Sequence, residues 1–281
     1  MGNEPQEPRV PFSKRSLGQN FLTDRNYIEK IVSAVDPRAG DHILEIGPGR
    51  GALTEGLVAS GAKVTAIELD DHLADALEER FLHDSNFEML RGDILETDLQ
   101  QISRAENGKL KLAANLPYNI STPILRKLFK QRHLLSEVTV MLQKEVAERL
   151  AAAPGDSKRG FLTVLIARGF GIRRLFEVPP NAFRPVPRVD SAVVRLVPIL
   201  SDPDFPDGKF EMLVSAAFRQ KRKTLKNNLD VSDGWVGEQV SLFGGAAELL
   251  GGSGIEALAR AEALETAEWT RLLTNLIDRH K

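Results

Sequence analysis

Short apolar runs alternate with stretches of helical periodicity along the first two thirds of the chain. Short apolar runs favour buried strands, and apolar residues that repeat about every 3.6 positions favour amphipathic helices. The predicted strands are "HILEIG" (42–47), "KVTAIEL" (63–69), "FEMLRGD" (87–93), "KLKLAAN" (109–115), "EVTVMLQ" (137–143), "IRRLFEV" (172–178) and "SAVVRLVPI" (191–199). The predicted helices are "ALTEGLVAS" (52–60), "HLADALEERFL" (72–82), "PILRKLFKQ" (123–131), "KEVAERLAAA" (144–153) and "FLTVLIARGF" (161–170). Repeated β-α-β units with short links predict an α/β fold, with a mostly parallel sheet and helices on both of its faces.

The pattern changes near residue 205. The stretch "VPILSDPDFPDGKF" (197–210) mixes prolines and acids into an apolar pattern, which is typical of a linker. Beyond it, "FEMLVSAAF" (210–218), "KTLKNNL" (223–229) and "EALARAEALETAEWTRLLTNLI" (256–277) have only helical periodicity. We therefore predict two domains, residues 1–204 with the sheet and residues 205–281 as a small all-helical domain.

The composition excludes several kinds of protein. The chain has 281 residues and no cysteine, which rules out disulfides, thiolate catalysis and cysteine-bound metals. Its five histidines share no ligand-like spacing, so we expect no metal site. No apolar run approaches the roughly 18 residues of a membrane span, and residues 1–16 contain no apolar signal core. We expect a cytoplasmic protein with no membrane partner.

Basic residues cluster although the net charge is −2. Residues 158–195 carry eight basic side chains and two acidic ones, and "RQKRKTLK" (219–226) adds five basic side chains and no acid. Two basic segments in a mildly acidic protein favour a nucleic-acid partner over a plain solvated surface.

A glycine-rich turn follows the first predicted strand. In "LEIGPGRGALTE" (44–55), Gly47 and Gly49 allow a ligand to approach the backbone beside a helix N-terminus. Glu68 ends the second strand, where an acid can accept hydrogen bonds from ribose hydroxyls, and Asp93 ends the third. This pattern predicts a nucleotide-like cofactor without saying which one, and a dinucleotide dehydrogenase remains an alternative.

The fourth predicted strand ends in "AANLPYNISTPIL" (113–125). Pro117 disfavours helical backbone at Leu116, and a helix is expected to restart near Ser121. Ligands in such sheets lie outside the carboxyl ends of the strands, so Asn115 and Tyr118 are expected to face the cofactor. The Asn115 side-chain oxygen and the Leu116 carbonyl are two acceptors suited to an adenine amine. The Tyr118 ring suits stacking on the base, worth roughly 1–3 kcal/mol.

Taken together, these motifs resemble the small-subunit ribosomal RNA adenine N6,N6-dimethyltransferase family. The resemblance runs from about residue 12 to the C-terminus. It is carried by "KRSLGQNFL" (14–22), "EIGPGRGALT" (45–54), "IELD" (67–70), "NLPYNISTPI" (115–124), "MLQKEVAERL" (141–150), "FRPVPRVDSAVV" (183–194) and "FRQKRKTLKNNL" (218–229). It implies a Rossmann-like S-adenosylmethionine-dependent methyltransferase sheet followed by a small helical domain that binds rRNA. The implied enzyme is a monomer that dimethylates two adjacent adenosines in the 3′-terminal hairpin of 16S rRNA, in the small ribosomal subunit or its precursor.

The resemblance also carries roles over to single positions. It implies that S-adenosylmethionine contacts Asn20, Leu22, Gly47, Glu68, Asp93 and Asn115. It assigns Asn115 and Leu116 to the target amine, Tyr118 to one face of the base and Phe183 to the other face.

Three alternatives remain at this point. A sister family that methylates 23S rRNA and confers antibiotic resistance shares "NLPYN" and the catalytic core. A ribosome-assembly factor without catalysis would keep the basic segments but would not need Glu68, Asp93, Asn115 and Tyr118. A dehydrogenase would need an acid or base for hydride chemistry and has no use for the basic segments.

Overall fold

The computed structural model describes residues 20–105, 108–199 and 205–278. Its strands are β1 (Phe21–Leu22), β2 (His42–Ile46), β3 (Lys63–Glu68), β4 (Phe87–Arg91), β5 (Leu110–Asn115), β6 (Leu135–Gln143), β7 (Phe170–Val178), β8 (Phe183–Arg184) and β9 (Ser191–Pro198). Each of the seven strands predicted from the sequence corresponds to one of β2–β7 and β9. The first residues of the "KRSLGQNFL" motif, 14–19, lie outside the described residues.

The helices follow the strands in alternation and then continue alone. They are α1 (Arg25–Val35), α2 (Thr54–Ala59), α3 (Asp71–Arg80), α4 (Leu99–Ala105), α5 (Ser121–Lys130), α6 (Lys144–Leu150), α7 (Phe161–Gly169), α8 (Asp207–Ala217), α9 (Leu225–Asp230), α10 (Gly234–Phe243), α11 (Ala246–Gly252) and α12 (Thr266–Asp278). Among the described residues, no helix is both long enough and apolar enough to cross a membrane.

The main sheet has seven strands in the order β4-β3-β2-β5-β6-β9-β7. The pairs β4–β3, β3–β2, β2–β5 and β5–β6 are parallel, which confirms the α/β prediction. The strand order reverses between β2 and β5, and a crevice opens at such a point beyond the carboxyl ends of the strands. β2 leads into the glycine-rich turn and β5 ends at Asn115, so the topology brings the two predicted halves of the site together.

The central strands are buried on both faces, which explains their continuous apolar sequences. Ile43 and Leu44 of β2 and Leu112 and Ala113 of β5 are fully buried. Truncating a buried leucine to alanine costs about 2–5 kcal/mol of stability, so these positions hold the crevice in place.

Helix α1 was not predicted, although its sequence carries a start signal. The Asp24 side chain accepts a hydrogen bond from the Asn26 amide, and Ile31 and Val35 are buried. An aspartate at this position satisfies a helix amide that otherwise has no partner.

The chain folds into two compact units. The first comprises the described residues within 1–121, 134–143 and 176–193, and the second those within 122–133, 144–175 and 194–281. The second unit contains every described residue from 205 onward but also segments from before the expected boundary. The functional division at residue 205 therefore stays a prediction. β9 extends to Pro198 and α8 begins at Asp207, while residues 200–204 of the predicted linker lie outside the described part of the chain.

The predicted helix over 256–277 is wrong in its first half. Only Thr266–Asp278 forms an α-helix, preceded by turns and a short 3-10 segment at Ala261–Ala263. Tertiary hydrogen bonds use the carbonyls that a helix would need: Leu225 donates to Ala259 (2.8 Å) and Gly155 donates to Glu262 (2.9 Å).

Candidate active site

The turn after β2 depends on glycine. Gly47 and Gly49 have φ values of 63° and 58°, which side chains disfavour. A Cβ on Gly49 would lie 3.1 Å from the Phe21 ring, whereas a Cβ on Gly47 would meet nothing within 4 Å. The turn thus packs against Phe21 on one side and leaves its backbone open at Gly47.

Glu68 is held by three backbone amides. Its Oε2 accepts a hydrogen bond from Gly49 (3.1 Å), and its Oε1 accepts bonds from Leu69 and Asp70 (3.0 Å each). Burial raises the pKa of Glu68, and these hydrogen bonds oppose part of that rise. A carboxylate oxygen has two lone pairs, so Oε2 keeps one with which to accept a ligand hydroxyl.

A second carboxyl group lies beneath the turn. Glu45 of β2 is fully buried, and Thr54 donates a hydrogen bond of 2.7 Å to its Oε2. Desolvation raises the pKa of Glu45 to about 7, and the negative charge of Glu68 adds to the rise. Thr54 begins α2, so this bond joins the strand to the helix on either side of the turn.

Asp93 lies two residues beyond β4. Its Oδ1 accepts a hydrogen bond of 2.8 Å from the Leu95 amide, which holds the side chain in place. Among the described residues its Oδ2 accepts no hydrogen bond, which leaves one acceptor for a ligand.

Asn115 is oriented by the backbone of Asn20. Its Nδ2 donates a hydrogen bond of 3.1 Å to the Asn20 carbonyl, which directs the side-chain oxygen away from that contact. The Leu116 amide donates to the Met141 carbonyl (3.2 Å) and extends the β5–β6 ladder by one residue. Within the described parts of the chain, neither Asn115 Oδ1 nor the Leu116 carbonyl accepts a hydrogen bond.

Tyr118 is half-buried and anchored through its hydroxyl group. The Tyr118 hydroxyl and the Ser191 Oγ are 2.7 Å apart, and Ser191 is fully buried at the start of β9. Burial raises the pKa of the Tyr118 phenol, and the bond with Ser191 opposes part of the rise. The phenol is therefore neutral near pH 7, as a stacking ring should be.

One cavity of about 190 Å³ brings most of the predicted residues together. Its walls include seven of them: Asn20, Gly47, Glu68, Asp93, Asn115, Leu116 and Tyr118. The residues predicted to hold the cofactor thus share one space with those predicted to hold the amine.

Two predicted residues do not line this cavity. Leu22 and Phe183 are cross-strand partners in the β1–β8 pair, and both side chains are buried, Phe183 completely. A ring that stacks on a base needs an exposed face, so the role of Phe183 stays a prediction that requires the ring to become uncovered.

A family model described as "Ribosomal RNA adenine dimethylase" matches residues 12–271. A protein of Pseudomonas putida named "Ribosomal RNA small subunit methyltransferase A" is 41% identical over 99% of both chains. A protein of the same name from Geobacter metallireducens is 44% identical over 92% of this chain and 94% of its own length. This chain belongs to the ribosomal RNA adenine dimethylase family.

Solved structures related to this ribosomal RNA adenine dimethylase agree with its fold. A dimethyladenosine transferase from Plasmodium falciparum has a TM-score of 0.76 at 27% identity, covering 90% of this chain and 95% of that one. The 23S rRNA methyltransferase ErmE has a TM-score of 0.65 at 26% identity, covering 92% and 99%. The Rossmann-like methyltransferase fold is therefore confirmed.

Two residues of the candidate site were not predicted from the sequence of this dimethylase. Phe21 lines the cavity beneath the Arg50 guanidinium, which lies 4.3 Å from the ring centroid. Ser191 anchors Tyr118 from 73 positions away. The "QNFL" and "VDSAVV" motifs contained both residues, but only the folded chain reveals these contacts.

The basic segment 158–195 is not one continuous surface. Arg159 is buried, and it donates hydrogen bonds to the carbonyls of Ala152 (3.0 Å) and Leu264 (3.3 Å). Lys158 pairs with Glu148 at 2.6 Å. These two cations stabilise the fold of the second unit.

The segment 219–226 does present exposed cations. Buried Asn228 holds the turn between α8 and α9, since its Nδ2 donates to the carbonyls of Ala217 (2.8 Å) and Gln220 (3.1 Å). The turn displays exposed basic side chains at Arg219, Lys221, Arg222 and Lys223.

Proposed function

We propose that the chain transfers methyl groups from S-adenosylmethionine to the N6 amines of two adjacent adenosines in the 3′-terminal hairpin of 16S rRNA. The product is N6,N6-dimethyladenosine in the maturing small subunit, and the enzyme works as a cytoplasmic monomer. The observation that carries the proposal is the cavity that Glu68 and the glycine turn share with Asn115 and Tyr118.

The cavity fits this methyl donor. When bound, S-adenosylmethionine supplies an electrophilic methyl group. The free lone pair of Glu68 Oε2 suits a ribose hydroxyl, and Asp93 Oδ2 suits the adenine end. Gly47 leaves open space where a side chain would intrude, so the donor can lie against the backbone of the turn.

The acceptor amine needs help because its lone pair is delocalised into the adenine ring. Before the first transfer, Asn115 Oδ1 and the Leu116 carbonyl accept hydrogen bonds from its two N–H groups, which favours a pyramidal nitrogen with its lone pair directed at the methyl group. Before the second transfer, the one N–H that remains donates to one of the same two oxygens. The Asn20 carbonyl holds Asn115 in the orientation that presents Oδ1. Positioning and electrostatics thus supply the catalysis. Each methyl transfer leaves a positively charged, acidic nitrogen, which then releases one proton to water.

The base is held by its face. An adenine must leave its RNA helix to enter a cavity, which costs a few kcal/mol and less within a loop. Tyr118 stacks on the extruded base, with the ring angle set by the bond to Ser191. Phe183 closes the far side once it is uncovered.

The small-subunit substrate is favoured over the 23S sister. The relatives named small subunit methyltransferase A are 41% and 44% identical, whereas the 23S rRNA methyltransferase ErmE is 26% identical. The exposed turn of Arg219 and Lys221–Lys223 suits an rRNA phosphate backbone, in line with an RNA-binding role for residues 205–281.

The test uses labelled S-adenosylmethionine with small ribosomal subunits that lack the modification, and with naked 16S and 23S rRNA in parallel. The expected result is N6,N6-dimethyladenosine in digests of the small subunits alone. Product in 23S rRNA would favour the resistance-type sister. Binding to subunits without any transfer would favour an assembly factor.

A further inference from the structure

The loop between β8 and β9, residues 185–190, exposes apolar side chains. Val186 is 56% exposed and Val189 is 43% exposed. Single exposed aliphatic residues are common and need no explanation. Val186 and Val189 differ from such residues because cations lie beside them and because both ends of their loop adjoin the cavity wall.

Both ends of the 185–190 loop are attached to the cavity wall. Before the loop, Arg184 is the cross-strand partner of Phe21, a wall residue. After it, Ser191 is hydrogen-bonded to Tyr118, another wall residue, at 2.7 Å. The loop therefore leaves the wall at one point and returns to it at another.

The loop is stiff, and exposed cations lie at Arg184 just before it and at Arg188 within it, where half-buried Asp190 is the one acid of residues 185–190. Pro185 and Pro187 each fix one backbone dihedral, which limits how far the loop can collapse. Arg188 is exposed and forms no ion pair or hydrogen bond within the described residues. Arg184 is exposed too, and within the described part of the chain it donates only to the carbonyls of Asn181 (3.0 Å) and Phe183 (2.8 Å), so no carboxylate there neutralises its charge.

We propose that the 185–190 loop is a wedge that contacts the RNA beside the target adenosine. Val186 and Val189 occupy the gap that the extruded base leaves in the stack, and Arg184 and Arg188 contact the flanking phosphates. This inference rests on the proposed function.

Charge complementarity favours RNA as the occupant of this surface. Proteins that kink or open nucleic acids insert apolar side chains between bases, while basic side chains contact the phosphates. A second copy of this chain would bring the same cations against each other, so self-association is the less favourable use of the loop.

The experiment measures base extrusion separately from methyl transfer. Small subunits are reconstituted with 16S rRNA that carries 2-aminopurine in place of the target adenosine. The fluorescence of this base rises when it leaves the stack. Wild-type protein, with S-adenosylhomocysteine present, is expected to raise it.

The loop is tested with the double variant Val186→Ser and Val189→Ser. We expect it to reduce the fluorescence rise and the rate of transfer to unmodified subunits several-fold, while S-adenosylhomocysteine binding stays unchanged. Arg188→Gln should weaken subunit binding and reduce its salt slope by about 0.7–0.9, the value of one phosphate contact. Val231→Ser is the matched control, since Val231 is 57% exposed and belongs to the other unit.

The outcomes distinguish a failure of the wedge proposal from a failure of the proposed function. If the double variant matches Val231→Ser in fluorescence and transfer, the wedge is wrong. Transfer by the wild-type protein without any fluorescence rise would also overturn it, because no base would have been extruded. A change in oligomeric mass in place of the fluorescence change would assign the loop to self-association. If the wild-type protein transfers no methyl group to unmodified subunits, it is the proposed function that fails.

Discussion

The two walls of the cavity are built by different means. The wall proposed to hold the cofactor depends mainly on backbone: a glycine turn and three amides that fix Glu68. The wall proposed to hold the acceptor base adds to the Leu116 carbonyl the side chains of Asn115 and Tyr118, each oriented by one long-range contact. Damage to the cofactor wall should therefore weaken binding, and damage to the acceptor wall should slow the reaction itself.

The largest effect is expected from Asn115→Ala. It removes the Oδ1 acceptor, and the loss of one preorganised group of this kind costs about 10²–10³-fold in rate. Single-turnover transfer at saturating S-adenosylmethionine should fall by that factor, while subunit affinity stays near wild type. Asn86→Ala, at an exposed asparagine before β4, is the control. Equal losses of affinity and rate would count against the assigned role.

The opposite pattern is expected when Lys221, Arg222 and Lys223 are all changed to glutamine. Each lost phosphate contact should reduce the salt slope of RNA binding by about 0.7–0.9, and the rate at saturating RNA should stay high. Lys226→Gln is the matched control, because Lys226 pairs with Asp230 at 2.6 Å. Titrations at several salt concentrations measure this, and an unchanged slope would remove these residues from the interface.

Glu45→Gln should change the pH dependence of stability. The pKa of Glu45 in the folded chain is raised to about 7 from an ordinary 4.5, so the folded state binds the proton more tightly than the unfolded state. Wild-type stability therefore falls as pH rises from about 4.5 to about 7. The variant should match the wild type at low pH and be on the order of 2 kcal/mol more stable at pH 8.

Urea unfolding of both proteins at a series of pH values measures the difference. If the free energies of unfolding of the two proteins change in parallel with pH, the ionisation of Glu45 does not destabilise the folded state. Cofactor affinity of the variant should stay close to wild type, since Glu45 supports the turn without lining the cavity.

Gly49→Ala should weaken S-adenosylmethionine binding about tenfold, because a side chain at positive φ costs about 1–2 kcal/mol. The new Cβ would also press on Phe21. Gly155→Ala carries a similar backbone strain, at φ 85°, in the other unit, and should leave calorimetric cofactor binding unchanged. Equal weakening in both variants would point to general destabilisation.

The smallest effects are expected at the Tyr118–Ser191 bond. Tyr118→Phe and Ser191→Ala each remove the same bond, worth about 1 kcal/mol, so each should slow transfer roughly fivefold. The double variant should be no slower than either single variant, because the two side chains act together. Ser253→Ala removes another buried serine hydroxyl and is the control. Additive losses would show that the two side chains act independently.

Local signals explain what the sequence could predict. Apolar runs identified the strands of the sheet, and the ends of those strands identified Gly47, Glu68, Asp93 and Asn115. Contacts between distant segments could not be read in the same way. The β1–β8 pair that buries Phe183 joins residues about 160 positions apart, and the burial of Arg159 depends on a carbonyl 105 positions away. From side-chain type alone, Phe183 was expected to face a base and Arg159 to lie on a basic surface.

The most direct test of the two walls compares Gly49→Ala with Asn115→Ala. For each variant, the single-turnover rate of methyl transfer to small subunits is measured at increasing S-adenosylmethionine concentrations. We expect saturating cofactor to restore Gly49→Ala to nearly the wild-type rate and to leave Asn115→Ala about 10²–10³-fold slower. Recovery of Asn115→Ala at high cofactor, or a persistent defect of Gly49→Ala, would contradict the assignment of the walls.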